Sequence, residues 1–218
     1  MKHTIPGPVY NNNKKCQMKK TMNSLLLLPA MVFLSFTMKD PLPLGSAVPK
    51  ADNKLKDISG KDVTLKEAMK ENGLLVMFSC NTCPVVINNQ ARTREICQFA
   101  TQQNIGVVLL NSNEANRKSS ESLSSMQDYG QGQNYSWYYA VDKNNELADA
   151  FGASRTPECF LFDKNGKLIY HGAIDDSPSD AAGVKRVHLK EAINEAVAGK
   201  EVSVKQSKSV GCSIKRIS

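Results

Sequence analysis

Two cysteines separated by two residues, Cys80-Asn81-Thr82-Cys83, are the group with the clearest capacity for chemistry in this sequence. Thiols at this spacing close into a small disulfide only where the backbone turns tightly, as it does at a helix N-terminus. The thiolate is the reactive form, and such sites lower a thiol pKa from ~8.5 into the range ~3.5–7.5. We therefore predict that Cys80 attacks as the thiolate and that Cys83, more buried inside the helix, resolves the mixed disulfide.

The segments around the dithiol predict the elements that would position it. Residues 74–78 form an apolar run of strand length, typical of a strand covered on both faces. Pro84 suits the first turn of a helix, which we predict to extend to about Gln103. Further segments follow along the chain: a strand at 105–110, an exposed helix at 119–129, a strand at 137–141, a hairpin at 159–170 and a helix at 187–198. This order predicts an α/β fold with a central mixed sheet, helices on both faces and an N-terminal β-hairpin extension at 54–65.

Spacing alone leaves other interpretations of the cysteine pair, namely half a zinc site, a copper site or a structural disulfide. A structural zinc site needs about four ligands, and the sequence has no second closely spaced Cys/His pair. Copper carriage needs soft ligands such as methionine. Five of the eight methionines lie at or before Met38, in or next to the predicted leader, so cleavage of the leader would remove most of them. We therefore predict no metal and no cofactor, and we favour redox chemistry.

A second feature lies before the predicted strand at Cys159. Thr156-Pro157 precedes this strand, and an Asp-x-x-Gly turn follows at residues 163–166. The arrangement resembles the cis-proline loop of thioredoxin-fold proteins, which lies against the dithiol and pairs with an incoming substrate strand. The resemblance implies that Thr156 and Pro157 face Cys80, bind substrate and are joined by a cis bond. An ordinary trans proline at a strand entrance is the alternative.

Six segments in order carry a closer resemblance: residues 78–86, 111–113, 152–158, 161–163, 174–176 and 210–215. They are similar to the redoxin, or peroxiredoxin-like, branch of bacterial thioredoxin-fold proteins, over roughly residues 52–216. The resemblance implies a thioredoxin-like fold and thiol–disulfide exchange. Two departures stand out. Ser79 replaces the tryptophan of thioredoxins, and the strand at 74–78 has no acidic residue to take the proton from Cys83.

Peroxidase chemistry is the weaker expectation. Peroxiredoxins carry Pro-x-x-x-Thr-x-x-Cys, and neither Cys80 nor Cys83 has the Pro or the Thr at these positions.

The remaining cysteines and histidines are assigned by their positions. We expect Cys97 and Cys159 to be core residues, although Cys159 could also lie near the dithiol. Cys212 lies in a tail segment of the family resemblance, where it is either an accessory thiol that exchanges with the dithiol or a packing residue. His171 and His188 are expected to be surface or core residues rather than bases.

The first 37 residues explain most of the net charge of +7. They hold five lysines and no acidic residue, so the rest of the chain has 28 − 5 = 23 basic and 21 acidic residues. This near balance does not indicate binding to nucleic acid. Lys19 and Lys20 precede a short apolar run that contains Pro29, a pattern typical of a signal peptide. Met18 would be a natural start, in which case residues 1–17 are not translated.

We predict four parts: a leader at 1–37, a linker at 38–53, a thioredoxin-like domain at 54–203 and a C-terminal tail at 204–218. We expect thiol–disulfide exchange with protein thiols or disulfides and with a redox partner protein, in the periplasm or elsewhere outside the cytoplasm. Contact with a membrane is expected only through an uncleaved leader. The alternatives are a thiol peroxidase and a non-catalytic module that binds extended peptides.

Overall fold

The computed structural model describes Gly7 and residues 40–217, so the predicted signal peptide lies outside the described residues apart from Gly7. The strands are β1 (Leu55–Asp57), β2 (Asp62–Val63), β3 (Leu74–Ser79), β4 (Gly106–Asn111), β5 (Tyr138–Val141), β6 (Arg155–Thr156), β7 (Glu158–Phe162), β8 (Leu168–Gly172) and β9 (Cys212–Ser213). The α-helices are α1 (Leu65–Ala68), α2 (Pro84–Asn88), α3 (Gln90–Gln102), α4 (Leu123–Gly132), α5 (Glu146–Phe151) and α6 (His188–Val197). In this part of the chain, no helix is both long enough and apolar enough to cross a bilayer.

Seven strands form one mixed sheet in the order β2-β1-β5-β4-β3-β7-β8. The central pair β3 and β4 is parallel, and β7 runs antiparallel to β3. Successive side chains of a strand point to opposite faces, so Leu75 and Met77 enter one core while Val76 and Phe78 enter the other. Residues of α3, α4 and α6 cover the first face, and residues of α1 and α5 cover the second. This confirms the predicted α/β fold, and the antiparallel pair β1–β2 is the predicted N-terminal hairpin.

The long helix expected after Pro84 is instead two helices that meet at Asn89. The Asn89 backbone leaves the helical region, with φ −95° and ψ 2°. Its buried side-chain amide donates to the carbonyl oxygens of Val85 and Pro178, both at 2.8 Å. A side chain that bonds the backbone locally competes with a continuous helix, and here it also ties the corner to the loop after β8.

The helix expected at 119–129 begins later, at Leu123. Ser122 caps it, because its side-chain oxygen accepts from the backbone N–H of Ser125. The helix is also only partly exposed, since Met126 and Gly130 are buried against the sheet.

The described parts of the predicted linker and tail are bonded to the domain. Leu42 N–H donates to the carbonyl of Phe151, and Gly45 N–H donates to that of Leu168. Near the other end, β9 pairs antiparallel with β6. The domain boundaries themselves stay predictions, but these segments contribute to the fold rather than extending freely from it.

Phe151 gives a direct test of the second core. Its ring meets those of Phe78, Phe160 and Phe162 at centroid distances of 5.1–5.8 Å, and its side chain is fully buried. We expect Phe151→Ala to lower the free energy of unfolding by about 3–5 kcal/mol, because the truncation leaves a cavity. Chemical denaturation measures this, with the exposed Leu44→Ala as control. A loss no larger than that of the control would contradict the described packing.

Candidate active site

The dithiol lies at the junction between the central strand and the helical side of the sheet. Strand β3 ends at Ser79, Cys80 follows it, and Cys83 directly precedes Pro84 at the start of α2. The cysteines are 0% and 4% exposed, in that order. The strand-to-helix setting is therefore as predicted, but the expectation that Cys80 is the more exposed thiol is wrong.

The proline loop packs directly on both cysteines. The Thr156–Pro157 peptide bond is cis, as the family resemblance implied. The Thr156 hydroxyl lies 3.4 Å from Cys80 Sγ, and the Thr156 carbonyl oxygen lies 3.5 Å from Cys83 Sγ. The second distance suits a hydrogen bond only when Cys83 carries a thiol proton. Thr156 thus contacts the dithiol although it lies 76 positions after Cys80 in the sequence.

The disulfide in the structure joins Cys83 to Cys212, whose Cα atoms are 6.0 Å apart, and Cys80 keeps a free thiol. This arrangement differs from the expected Cys80–Cys83 pair. The reason is the tail: β9 places Cys212 opposite Thr156, directly beside Cys83. Val85 and Val86 complete the small apolar cluster around the three sulfur atoms.

The environment of Cys80 does not favour the thiolate in this state. Burial raises the pKa of the Cys80 thiol, a hydrogen bond from the Thr156 hydroxyl lowers it, and the negative charge of Glu121 raises it again. Backbone N–H groups of Thr82 and Cys83 lower this pKa by smaller amounts. The predicted low pKa is therefore wrong for the state with the Cys83–Cys212 disulfide, because desolvation outweighs the donors at the turn.

Glu121 is a buried acidic residue beside the dithiol, and the sequence analysis did not identify it. Its side chain accepts hydrogen bonds from Asn81 N–H at 3.0 Å, the Thr82 hydroxyl at 2.7 Å and the Asn111 amide at 2.6 Å. All three partners donate, which is the arrangement that an ionised carboxylate needs. The residue comes from the turn before α4 rather than from β3, so no local pattern marks it. It fixes the two residues between the cysteines.

Apart from Cys80, the free cysteines of the described residues are core residues, as expected. Cys97 and Cys159 are fully buried in the cluster under α3 and α6. Burial alone raises the pKa of Cys97, and burial is the main cause that raises the pKa of Cys159. Both thiols are therefore protonated, and we assign them to packing.

His171 and His188 lie outside the cysteine cluster. His171 Nε2 is 2.7 Å from Glu158 Oε1, and its ring stacks on Phe160. His188 begins α6. Within the described residues, no group of three or more His, Cys, Asp or Glu side chains is placed to hold a metal ion.

Fold and site together define a thioredoxin-fold protein with a cysteine-based centre. The redoxin family model matches residues 43–187, which is more than half of the chain. The chain therefore belongs to the redoxin family. No curated protein matches it significantly.

Solved structures support this placement. The chain is 32% identical to a hypothetical protein from Sinorhizobium meliloti 1021, with a TM-score of 0.75, covering 82% of this chain and 97% of that one. It is 30% identical to an uncharacterised conserved protein from Geobacillus kaustophilus, with a TM-score of 0.74, covering 79% and 92% respectively. The fold is shared with a putative protein disulfide isomerase from Bacteroides thetaiotaomicron. The two are 15% identical, with a TM-score of 0.55, covering 72% of this chain and 91% of that one.

Glu121 gives a test of the electrostatics at the dithiol. We expect Glu121→Gln to lower the pKa of Cys80, because a like charge beside the thiolate is removed. The rate of Cys80 alkylation by iodoacetamide, measured against pH in the disulfide form, reports this pKa. The exposed Glu95→Gln should leave the profile unchanged. A midpoint at or above the wild-type value would show that Glu121 does not act on the thiol.

Proposed function

We propose that this protein is a thiol–disulfide oxidoreductase that works through Cys80 and Cys83. One observation carries the proposal: a free thiol and a disulfide lie in the same buried cluster, under a proline loop whose Thr156 contacts both cysteines. A thiol next to a disulfide is the arrangement from which exchange proceeds.

The exchange begins from the form in which Cys83 is reduced. The Cys80 thiolate attacks one sulfur of a substrate disulfide, which forms a mixed disulfide and releases one substrate thiol. Cys83 then attacks Cys80 Sγ, which releases the second substrate thiol and leaves a Cys80–Cys83 disulfide. The substrate gains two electrons and the protein loses two. The reverse sequence oxidises a substrate dithiol, and a redox partner protein returns the site to its starting state.

Thr156 and Pro157 are proposed to orient the substrate. The Thr156 hydroxyl is within hydrogen-bonding distance of Cys80 Sγ and helps to stabilise the thiolate. The backbone of Thr156 pairs with β9 in this structure, and an extended peptide that takes the place of β9 can add there by backbone hydrogen bonds. The substrates that fit such a site are protein thiols and disulfides in extended segments.

Membership of the redoxin family supports redox chemistry in general. Proteins of the same fold include a putative thiol–disulfide oxidoreductase domain from Bacteroides thetaiotaomicron and the peroxidoxin BcpB of Mycobacterium tuberculosis, at 18% and 12% identity. At this identity they share the fold, and the choice between exchange and peroxidase chemistry depends on the site. The Thr156 hydroxyl, 3.4 Å from Cys80 Sγ, is a group that can hydrogen-bond a peroxide oxygen at the thiol, and this contact favours the peroxidase alternative.

Removal of either sulfur tests the exchange. We expect Cys80→Ser and Cys83→Ser to lower insulin reduction by at least about a hundredfold, since a nucleophile or its resolving group is lost. The core variant Cys97→Ala should keep most of the activity. Equal activity in Cys80→Ser and wild type would rule out the proposal. Peroxide consumption much faster than that of free cysteine, without insulin reduction, would favour the peroxidase instead.

We also propose that the protein works outside the cytoplasm, because residues 19–36 combine a basic start with a short apolar run. Fractionation of a bacterial host that makes the full chain, with mass measurement of its N-terminus, tests this. Export predicts a shortened chain in the periplasmic fraction. A full-length chain that stays in the cytoplasm would contradict it, and a full-length chain in the membrane fraction would indicate an anchor.

A further inference from the structure

The segment that carries Cys212 is anchored on both sides by contacts that do not involve its sulfur. Before Cys212, Ser207 N–H donates to the His171 carbonyl, and the Ser207 hydroxyl lies 2.6 Å from the Tyr170 hydroxyl. The same hydroxyl accepts from Ala173 N–H at 2.9 Å. We call residues 205–216 the strap.

After Cys212, the strap is held again. Ile214 is buried in the second core, and its N–H donates to the Ser154 carbonyl. Lys215 N–H donates to Asn113 Oδ1 at 2.8 Å, and the Lys215 carbonyl accepts from Ala115 N–H. Cleavage of the Cys83–Cys212 bond therefore leaves these contacts in place and keeps the Cys212 thiol beside Cys83.

Between the anchors, the strap lies on the strand edge next to the dithiol. Thr156 pairs with Cys212, and Arg155 pairs with Ser213. The preceding Gly211 is in such close contact that a Cβ atom there would lie 2.0 Å from the Thr156 carbonyl oxygen. The chain thus occupies with its own tail the backbone edge that a substrate strand would need.

We propose that Cys212 is a third redox residue, and that Cys83 exchanges its disulfide partner between Cys212 and Cys80. This inference rests on the proposed function. The Cys80 thiolate attacks Cys83 Sγ, the Cys83–Cys212 bond breaks, and Cys212 leaves as a thiolate. The proton lost by Cys80 is matched by the one that Cys212 gains. One disulfide and one thiol are present before and after the step, so no external oxidant or reductant is required.

The exchange gives the strap a defined task in the catalytic cycle. Once Cys80 and Cys83 have formed a disulfide with each other, attack by Cys212 on Cys83 frees Cys80 as a thiol. The anchors make this attack intramolecular, with an effective concentration of at least the millimolar range. In the resulting form Cys80 is fully buried and the Thr156 edge is filled, so this disulfide form is closed to substrate.

Peptide mapping of oxidised protein, quenched in acid and alkylated, tests the exchange directly. We expect wild type to show mainly Cys83–Cys212 with Cys80 alkylated, Cys80→Ser to keep Cys83–Cys212, and Cys212→Ser to form Cys80–Cys83. Wild type oxidised in a glutathione buffer should show both disulfides.

Gly211→Ala displaces the strap while leaving all three thiols. It should raise the ratio of Cys80–Cys83 to Cys83–Cys212 by roughly tenfold, because the added methyl group enters filled space. Gly132→Ala, where an added Cβ meets no neighbour within 4 Å, is the matched control. Thermal unfolding checks that each variant is folded. If Gly211→Ala does not fold, Cys212→Ser still tests whether Cys80 and Cys83 form a disulfide.

Two results would overturn the inference: absence of Cys80–Cys83 in folded Cys212→Ser, or a wild-type mixture in which Cys83–Cys212 is the only disulfide at every glutathione ratio. Either would make Cys83–Cys212 a structural bond. Insulin reduction is read separately. Insulin reduction that depends on Cys80 and Cys83 and is unchanged in Cys212→Ser would refute the relay and keep the function. Formation of both disulfides without any insulin reduction would refute the function and keep the relay.

Discussion

Thr156 is the residue on which the geometry of the site depends. Its hydroxyl approaches the Cys80 sulfur, its carbonyl approaches the Cys83 sulfur, and its backbone pairs with Cys212. The residue is itself buried, at the start of the connection into β7. Because β7 pairs with β3, and β3 leads into Cys80, the sheet fixes the distance between the loop and the dithiol. The three cysteines therefore share one point of contact although they lie far apart in the chain.

Burial sets the chemical state of this site. A thiolate in an apolar cluster loses hydration, and the Glu121 carboxylate adds repulsion, so the pKa of Cys80 is raised. Glu121 also holds the turn between the cysteines through Asn81 and Thr82. The same side chain therefore positions the dithiol and adds to the rise in the pKa of Cys80 that burial mainly causes.

The sequence predicted the local features well, because each has a signal within a few residues. The apolar runs of β3 and β4, the proline at the start of α2 and the hairpin before β3 all belong to this class. The cis bond at Pro157 was reached through a family resemblance. The end of the first helix at Asn89 was missed, since it depends on a bond to Pro178 far along the chain.

The remaining features of the site arise from long-range packing. Glu121 reaches Asn81 across 40 residues, and the Cys83–Cys212 disulfide spans 129. Neither contact leaves a periodicity or a spacing in the sequence. Cys212 was noted as a candidate accessory thiol, but its pairing with Cys83 follows only once β9 is placed against β6.

The role of Cys80 as the attacking thiol is the central claim, and a trapped intermediate tests it most directly. In the double variant Cys83→Ser/Cys212→Ser, no neighbouring thiol remains to resolve a mixed disulfide at Cys80. Incubation with insulin, followed by acid quenching and peptide mapping, should show an insulin cysteine joined to Cys80, at much higher yield than in wild type. A mixed disulfide at Cys97 or Cys159, or none at all in the folded variant, would contradict the account.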